Sequence, residues 1–407
     1  MKKCLLVITI LLYLTISGRA QFYQKLSPKL SLGTSTNLET YFFVEKLAVE
    51  HIGNYVFDIQ GVDYSHQPIV YFGFSHFKKF KDTPLVIRAA EILAQIRDTF
   101  HDNGPILDYL LNQTDFPGRG ARFPGAANKG SAQLISNAEV GSLMIELTDS
   151  LRKFYTDAGV GKFLQANAAF YKGAISETAE DVNPIVYGEL EKWYGQHFPQ
   201  YMLNISPAMP LTPGEGNYRG FGPNITSPSG KIPSMVISSS QMIPLKSDLK
   251  SYREFGFKNR KITSLLAKHE IIHSFVNPLL DRFKPQIEAD SALFTPEFAG
   301  LTSKAYINSW YICLVEHLVR LGEIRTALAM NNTAAAEQLR QLHIGEDKCV
   351  LIPLLEAQIL DYEKNRDKYP TFESYLPVLL SYIHTLNPGD IHNQVLKYAH
   401  YEADEHR

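Results

Sequence analysis

Apolar residues recur at three- and four-residue intervals through most of the chain, the period of helices that bury one face. The stretches "NLETYFFVEKLAVEHI" and "PLVIRAAEILAQIRDTFHDNGPILDYLLNQ" predict helices between about residues 38 and 112, with Pro84 and Gly104 at helix boundaries. The pattern lapses in "DFPGRGARFPGAANKG", residues 115–130, where glycines and prolines predict a long loop. It resumes from Glu139 to Ala179 and again after Pro184 in "NPIVYGELEKWYGQHF". Between residues 200 and 240, short apolar runs, many Gly and Pro residues and the β-branched pair Val236 and Ile237 predict two or three strands. Helical patterning then continues to the C-terminus, most clearly in "CVLIPLLEAQILDYEKN" and "FESYLPVLLSYIHTL". The expected fold is α+β and mainly helical, with a small β-sheet preceding the helix that contains "KHEIIHSFVNP".

The first twenty residues interrupt this picture. "MKKCLLVITILLYLTISGRA" runs from two lysines through an apolar stretch to small residues, the pattern of a signal peptide and too short for a membrane span. The chain is therefore expected to be exported, to the periplasm or beyond, with no stable membrane span once residues 1–20 are removed. The remaining residues are read as an N-terminal helical region, 21–130, and a second region, 131–407. Forty basic residues against 42 acidic ones, without a basic run, exclude nucleic acid as a partner. Outside the leader only Cys313 and Cys349 remain, so no disulfide framework is expected and the two are read as separate buried thiols.

The candidate chemistry lies in residues 268–278, "KHEIIHSFVNP". On a helix His269 and His273 are one turn apart on one face and can direct both imidazoles at one point. Glu270, the next residue after the first histidine, falls beside that point, within reach of a metal-bound water and placed as a general base. Asn277 and Pro278 are expected to end this helix.

A catalytic zinc site needs a third protein ligand and an open position. A third histidine in the extended pattern HExxHxxGxxH is excluded, since Val276 and Leu279 stand where its glycine and histidine belong. The preferred third ligand is Glu316, in the apolar middle of a predicted helix from about Lys304 to Arg325, where an unpartnered carboxylate would be costly to bury. Glu323, after Gly322 near the expected end of that helix, reads as a solvated carboxylate. Asp281, Glu288, Asp290 and Glu297 fall in a turn-rich connection. Arg320, four residues after Glu316, is expected to hold that carboxylate, to bind substrate or to form a plain ion pair. Tyr218, Tyr306, Tyr311, His317 and His392 are candidates for an oxyanion donor, whereas His51, His66, His76, His197 and His343 read as structural.

With these residues the chain resembles the gluzincin-type zinc metallopeptidases, which combine HExxH with a glutamate from a later helix. It is also similar to an uncharacterised bacterial family of exported proteins, a domain of unknown function. The shared features are "HEIIHSFVNP", the "VEHLVR" segment, "GNYRGFG" and "SMVISSS". The resemblance implies a zincin-like core with His269, His273 and Glu316 as Zn²⁺ ligands and Glu270 as catalytic base. It further implies that "SMVISSS" is a strand bordering the cleft, where a peptide substrate adds in extended form. The expected function is that of an exported zinc-dependent peptidase acting on peptides or proteins. The alternative is a catalytically inactive protein on the same scaffold that binds peptides or surface polymers. If the motif is instead accidental, the three ligands will not converge on a point about 2 Å from each donor atom.

Overall fold

The computed structural model describes residues 22–55, 58–100, 103–123, 138–212, 219–303 and 307–401; the predicted leader, 1–20, lies outside them. No helix among the described residues is long and apolar enough to cross a membrane. The chain divides into two compact units, one ending at Val182 and resuming over Pro199–Ser264, the other comprising Asn183–Phe198 and the chain from Leu265. The divisions fall at these positions and not at residue 130.

The first unit is built on a mixed sheet. Its strands are β1 (Tyr23–Lys25) and β2 (Leu30–Gly33), then β5 (Tyr201–Ile205), β6 (Gly220–Phe221), β7 (Asn224–Ser227) and β8 (Gly230–Ile237). A separate hairpin pairs β3 (Asn54–Tyr55) with β4 (Asp58–Ile59). The sheet order is β1-β2-β5-β8-β6, with β7 also on β8. The three central strands are parallel, in the registers Leu30↔Tyr201 and Leu203↔Met235. Parallel strands of this kind are covered on both faces, hence the unbroken buried run of Met235, Val236 and Ile237.

The sheet is larger than the two or three strands expected. In β2 only Leu30 and Leu32 are large apolar residues, too few to carry a readable alternation, and β1 is three exposed residues. The sheet also revises the expectation for "SMVISSS". Over Ser234–Ile237, β8 pairs with β5 on one side, and β6 pairs with Val236 and Ile237 from the other. These residues lie inside the sheet, so they offer no open edge on which a peptide could add.

Helix α1 (Thr36–Ile52) runs through the first unit buried from Thr36 to Val49, well beyond one face. The Ser35 hydroxyl caps it by accepting from the Leu38 amide. Two of its buried polar side chains bond within the unit: Asn37 accepts from the Phe116 amide at 2.8 Å, and Glu39 accepts from Tyr171 Oη at 2.8 Å and Ser206 Oγ at 2.5 Å. Around it the expected helices appear as α3 (Pro84–Phe100), α4 (Gly104–Leu111), α5 (Ala138–Asp157), α6 (Val160–Ala166) and α7 (Ala168–Asp181). The periodicity reading did not resolve α2 (Pro68–Phe77).

In the second unit α8 (Ile185–Tyr194) packs with α12 (Trp310–Ala329), α14 (Ile352–Lys364) and α15 (Phe372–His384); α10 (Lys284–Ala289), α11 (Pro296–Thr302), α13 (Thr333–Arg340) and α16 (Pro388–Tyr398) complete it. Its aromatic core includes Tyr194 stacked on Phe275 at 4.7 Å and Trp193 on Phe372 at 5.6 Å. Helix α9 (Arg260–Asp281) contains the division at residues 264/265. It does not stop at Asn277 as the sequence suggested but passes through Pro278 to Asp281. Proline removes one backbone donor and disfavours the preceding turn, and here only three residues follow it, so little of the helix depends on the lost bond.

Candidate metal centre

Helix α9 turns an apolar back to the second unit, with Ile271, Ile272, Phe275 and Val276 at 0 % exposure. His269 and His273, on the same helix, are half-buried. Helix α12 begins at a cap, where Ser309 Oγ accepts from the Ile312 amide, and it remains helical to Ala329. It approaches α9 closely at Gly322, where an added Cβ would meet Tyr194 Oη at 2.1 Å and Ile272 Cγ2 at 3.4 Å. Six residues before that point, on the same helix, stands Glu316.

His269, His273 and Glu316 each offer one donor atom, and these atoms lie within 4.8 Å of one another. The separations are 3.2 Å between the two Nε2 atoms, 3.7 Å from His269 Nε2 to Glu316 Oε2, and 3.6 Å from His273 Nε2 to Glu316 Oε1. Ligands about 2.0–2.1 Å from a tetrahedral ion stand about 3.3–3.4 Å apart. The three side chains therefore surround a point at nearly the required radius.

The protons point to the same centre. His269 Nδ1 donates to Glu323 Oε1 at 2.7 Å, and His273 Nδ1 donates to Asn277 Oδ1 at 3.1 Å. Both acceptors can only accept, so each imidazole carries a proton on Nδ1, and it is the inward Nε2 that is left to bind a metal. The two Nε2 atoms face each other across 3.2 Å, a contact that a proton or a metal ion between them makes favourable. This donor set, two imidazoles and a carboxylate, fits a divalent metal ion.

Electrostatics keep the third donor ionised. Burial pushes the Glu316 carboxyl up, but the Arg320 guanidinium beside it, with the two imidazoles when they are protonated, outweighs burial and holds it at about 2. Arg320 hydrogen-bonds Glu316 Oε2 and reaches Asp347 Oδ2 with Nε at 3.2 Å. These contacts match both the holding role and the plain i,i+4 ion pair considered for Arg320. Glu270 is half-buried, adjacent to this cluster, and has no hydrogen bond or ion pair among the described residues. Burial pushes its carboxyl up to about 7, with His273 opposing and the Glu316 and Glu323 charges adding to the rise.

Glu323 departs from its sequence reading. It is fully buried, not solvated, accepts from His269 and from His343 Nε2 at 3.3 Å, and is ion-paired with Lys268 Nζ at 3.8 Å. Burial alone would raise its carboxyl; His343, His269 and Lys268 instead hold it well below the usual carboxylate range. The signal was present in the spacing: Glu316, Arg320 and Glu323 at i, i+4 and i+7 share one face of an otherwise apolar helix. His343 likewise has charged partners, while His51 and His66 bond backbone carbonyls, as structural histidines do.

Three of the candidate oxyanion donors are engaged with other partners. Tyr311 Oη donates to Asp281 at 2.5 Å, His317 is fully buried with Nδ1 donating to the Cys313 carbonyl at 2.7 Å, and His392 pairs with Glu297 at 2.8 Å. Tyr218 and Tyr306 lie outside the described residues. Asp281, Glu288, Asp290 and Glu297 are not among the converging donors.

A protein family described as "Domain of unknown function (DUF4932)" matches residues 45–382. The chain belongs to this family. The DUF4932 span encloses all three donors, Glu270, and the supporting residues Lys268, Asn277, Arg320, Glu323, His343 and Asp347. Comparison with curated proteins and with solved structures gives no match.

Proposed function

We propose that the protein is a zinc-dependent peptidase of gluzincin type that acts after export, with His269, His273 and Glu316 as metal ligands and Glu270 as general base. The observation that carries the reading is the convergence of two inward Nε2 atoms and a low-pKa carboxylate on one point. Two histidines and a glutamate with an open fourth position form the ligand set of catalytic zinc sites in peptidases. Bound there, zinc would supply a lowered water pKa and a polarised scissile carbonyl. Glu323 and Asn277 fix the imidazole tautomers, and Arg320 keeps Glu316 ionised and in place. Glu270 takes the proton from the attacking water on its carboxylate and passes it to the leaving amine nitrogen. Its freedom from other partners suits that exchange.

The test is metal analysis joined to cleavage. The purified chain should carry about one zinc, lost in His273→Ala. On a broad peptide library the wild type should cleave, while Glu270→Gln keeps its zinc and does not. Zinc bound by both with no cleavage by either would favour a peptide-binding role. No zinc in the folded wild type, with the same metal content in His273→Ala, would overturn the reading.

A further inference from the structure

Beyond the ligands, one short segment touches the supports of two of them. The chain leaves α13 in a π-helical turn, Gln341–Glu346, a rare geometry that recurs at functional sites. Its exit is pinned by backbone bonds from the Asp347 amide to the Leu342 carbonyl and from the Cys349 amide to the His343 carbonyl, both 2.8 Å, with Lys348 at φ 60°. A π turn is wider than an α turn, so residues four apart come more nearly into line, and here His343 and Asp347 meet, Nδ1 to Oδ2, at 3.0 Å.

From that contact two chains of hydrogen bonds run to the metal centre. One passes from His343 Nε2 to Glu323 Oε2 at 3.3 Å and on from Glu323 Oε1 to His269 Nδ1 at 2.7 Å. The other passes from Asp347 Oδ2 to Arg320 Nε at 3.2 Å and on from Arg320 to Glu316 Oε2. Both ring nitrogens of His343 face carboxylate oxygens, which only accept, so the ring donates on both sides. The three carboxylates of these two chains, Glu316, Glu323 and Asp347, are paired with Lys268, Arg320 and His343.

We propose that His343 and Asp347 form a positioning clamp for the metal, holding His269 through Glu323 and Glu316 through Arg320, so that one turn fixes two of the three ligands. The inference rests on the metal reading above. Neither residue touches the metal; their effect is to keep two donors from different helices at the separation the ion needs. A network that served only to stabilise the unit would affect unfolding and leave metal affinity alone.

The experiment uses the full chain stripped of metal and titrated with zinc against a chromogenic chelator of known affinity, with the melting temperature of the metal-free form measured in parallel. Asp347→Ala tests one arm at a partly exposed side chain, and His343→Gln tests the other with nearly conserved volume. Each should weaken zinc binding roughly 10- to 100-fold. The double variant should bind zinc more weakly than either single, because each removes the support of a different ligand. Arg282→Ala, which breaks the Glu373 ion pair at 2.6 Å away from the turn, should leave zinc affinity unchanged even if melting falls. Zinc affinities of Asp347→Ala and His343→Gln within twofold of wild type would overturn the clamp while leaving the metal site standing. A wild type that binds no zinc would overturn both.

Discussion

His269 donates its Nδ1 proton to Glu323 across 2.7 Å, and Glu323 is wholly excluded from solvent. That hydrogen bond aims the Nε2 lone pair and makes the imidazole more basic. Glu323→Ala should therefore weaken zinc binding roughly 10- to 100-fold, read by chelator competition. An affinity equal to wild type would show that the ring is oriented by packing alone.

The contact between α8 and α12 can be tested at Gly322. Alanine there gains up to about 1 kcal/mol in helix propensity but forces its Cβ against the buried Tyr194 hydroxyl, and overpacking of this kind costs about 1–3 kcal/mol. Gly322→Ala should lower stability in urea denaturation. Tyr194→Phe should be nearly neutral, because that hydroxyl is buried without a hydrogen-bond partner. In the Tyr194→Phe background Gly322→Ala should lose most of its penalty; equal penalties in both backgrounds would place the strain elsewhere.

Stability of the first unit should fall as pH rises. Burial pushes the Glu39 carboxyl from 4.5 up to about 7, and Asp58 and Asp108 are each raised to about 6. Between pH 4.5 and 7 Glu39 is protonated when folded and ionised when unfolded, so the folded state binds more protons and loses stability with rising pH. The loss is complete above pH 7 and reaches about 3 kcal/mol for this residue. Glu39→Gln should gain most of that at pH 8 and little at pH 4, measured by urea midpoints. A midpoint difference independent of pH would contradict the assignment.

Cys313 and Cys349 are both free and fully buried, and burial pushes their thiols up, Cys349 to about 12. Neither should react with an aromatic disulfide reagent in the native protein, and both should react in denaturant. Rapid native labelling of either would place it on a surface that opens readily.

The three converging donors were legible because the two histidines are spaced at a helical repeat. His269 and His273 lie one turn apart, and Glu316 stood out as a charge inside an apolar helix. Glu323 was misread for one reason: Gly322 looked like a helix end, whereas it is a close approach to Tyr194 inside a helix that continues to Ala329. Pro278 misled in the same direction. His343 carries no local sign of its role, since it meets Glu323 from twenty positions away. The strands β1 and β2 were too short to show a period, and their partner β5 begins at Tyr201, far along the chain.

Neither compact unit is one continuous stretch of chain, and this orders events as the protein is made. The β2–β5 pairing of residues 30–33 with 201–204 must wait until more than half the chain has been synthesised. Residues 183–198, which belong with the second unit, emerge before nearly all their partners and carry Trp193 and Tyr194 exposed until α14 and α15 follow. A nascent chain is therefore vulnerable longest at this aromatic segment, and a chaperone that shields apolar surface has its clearest target there.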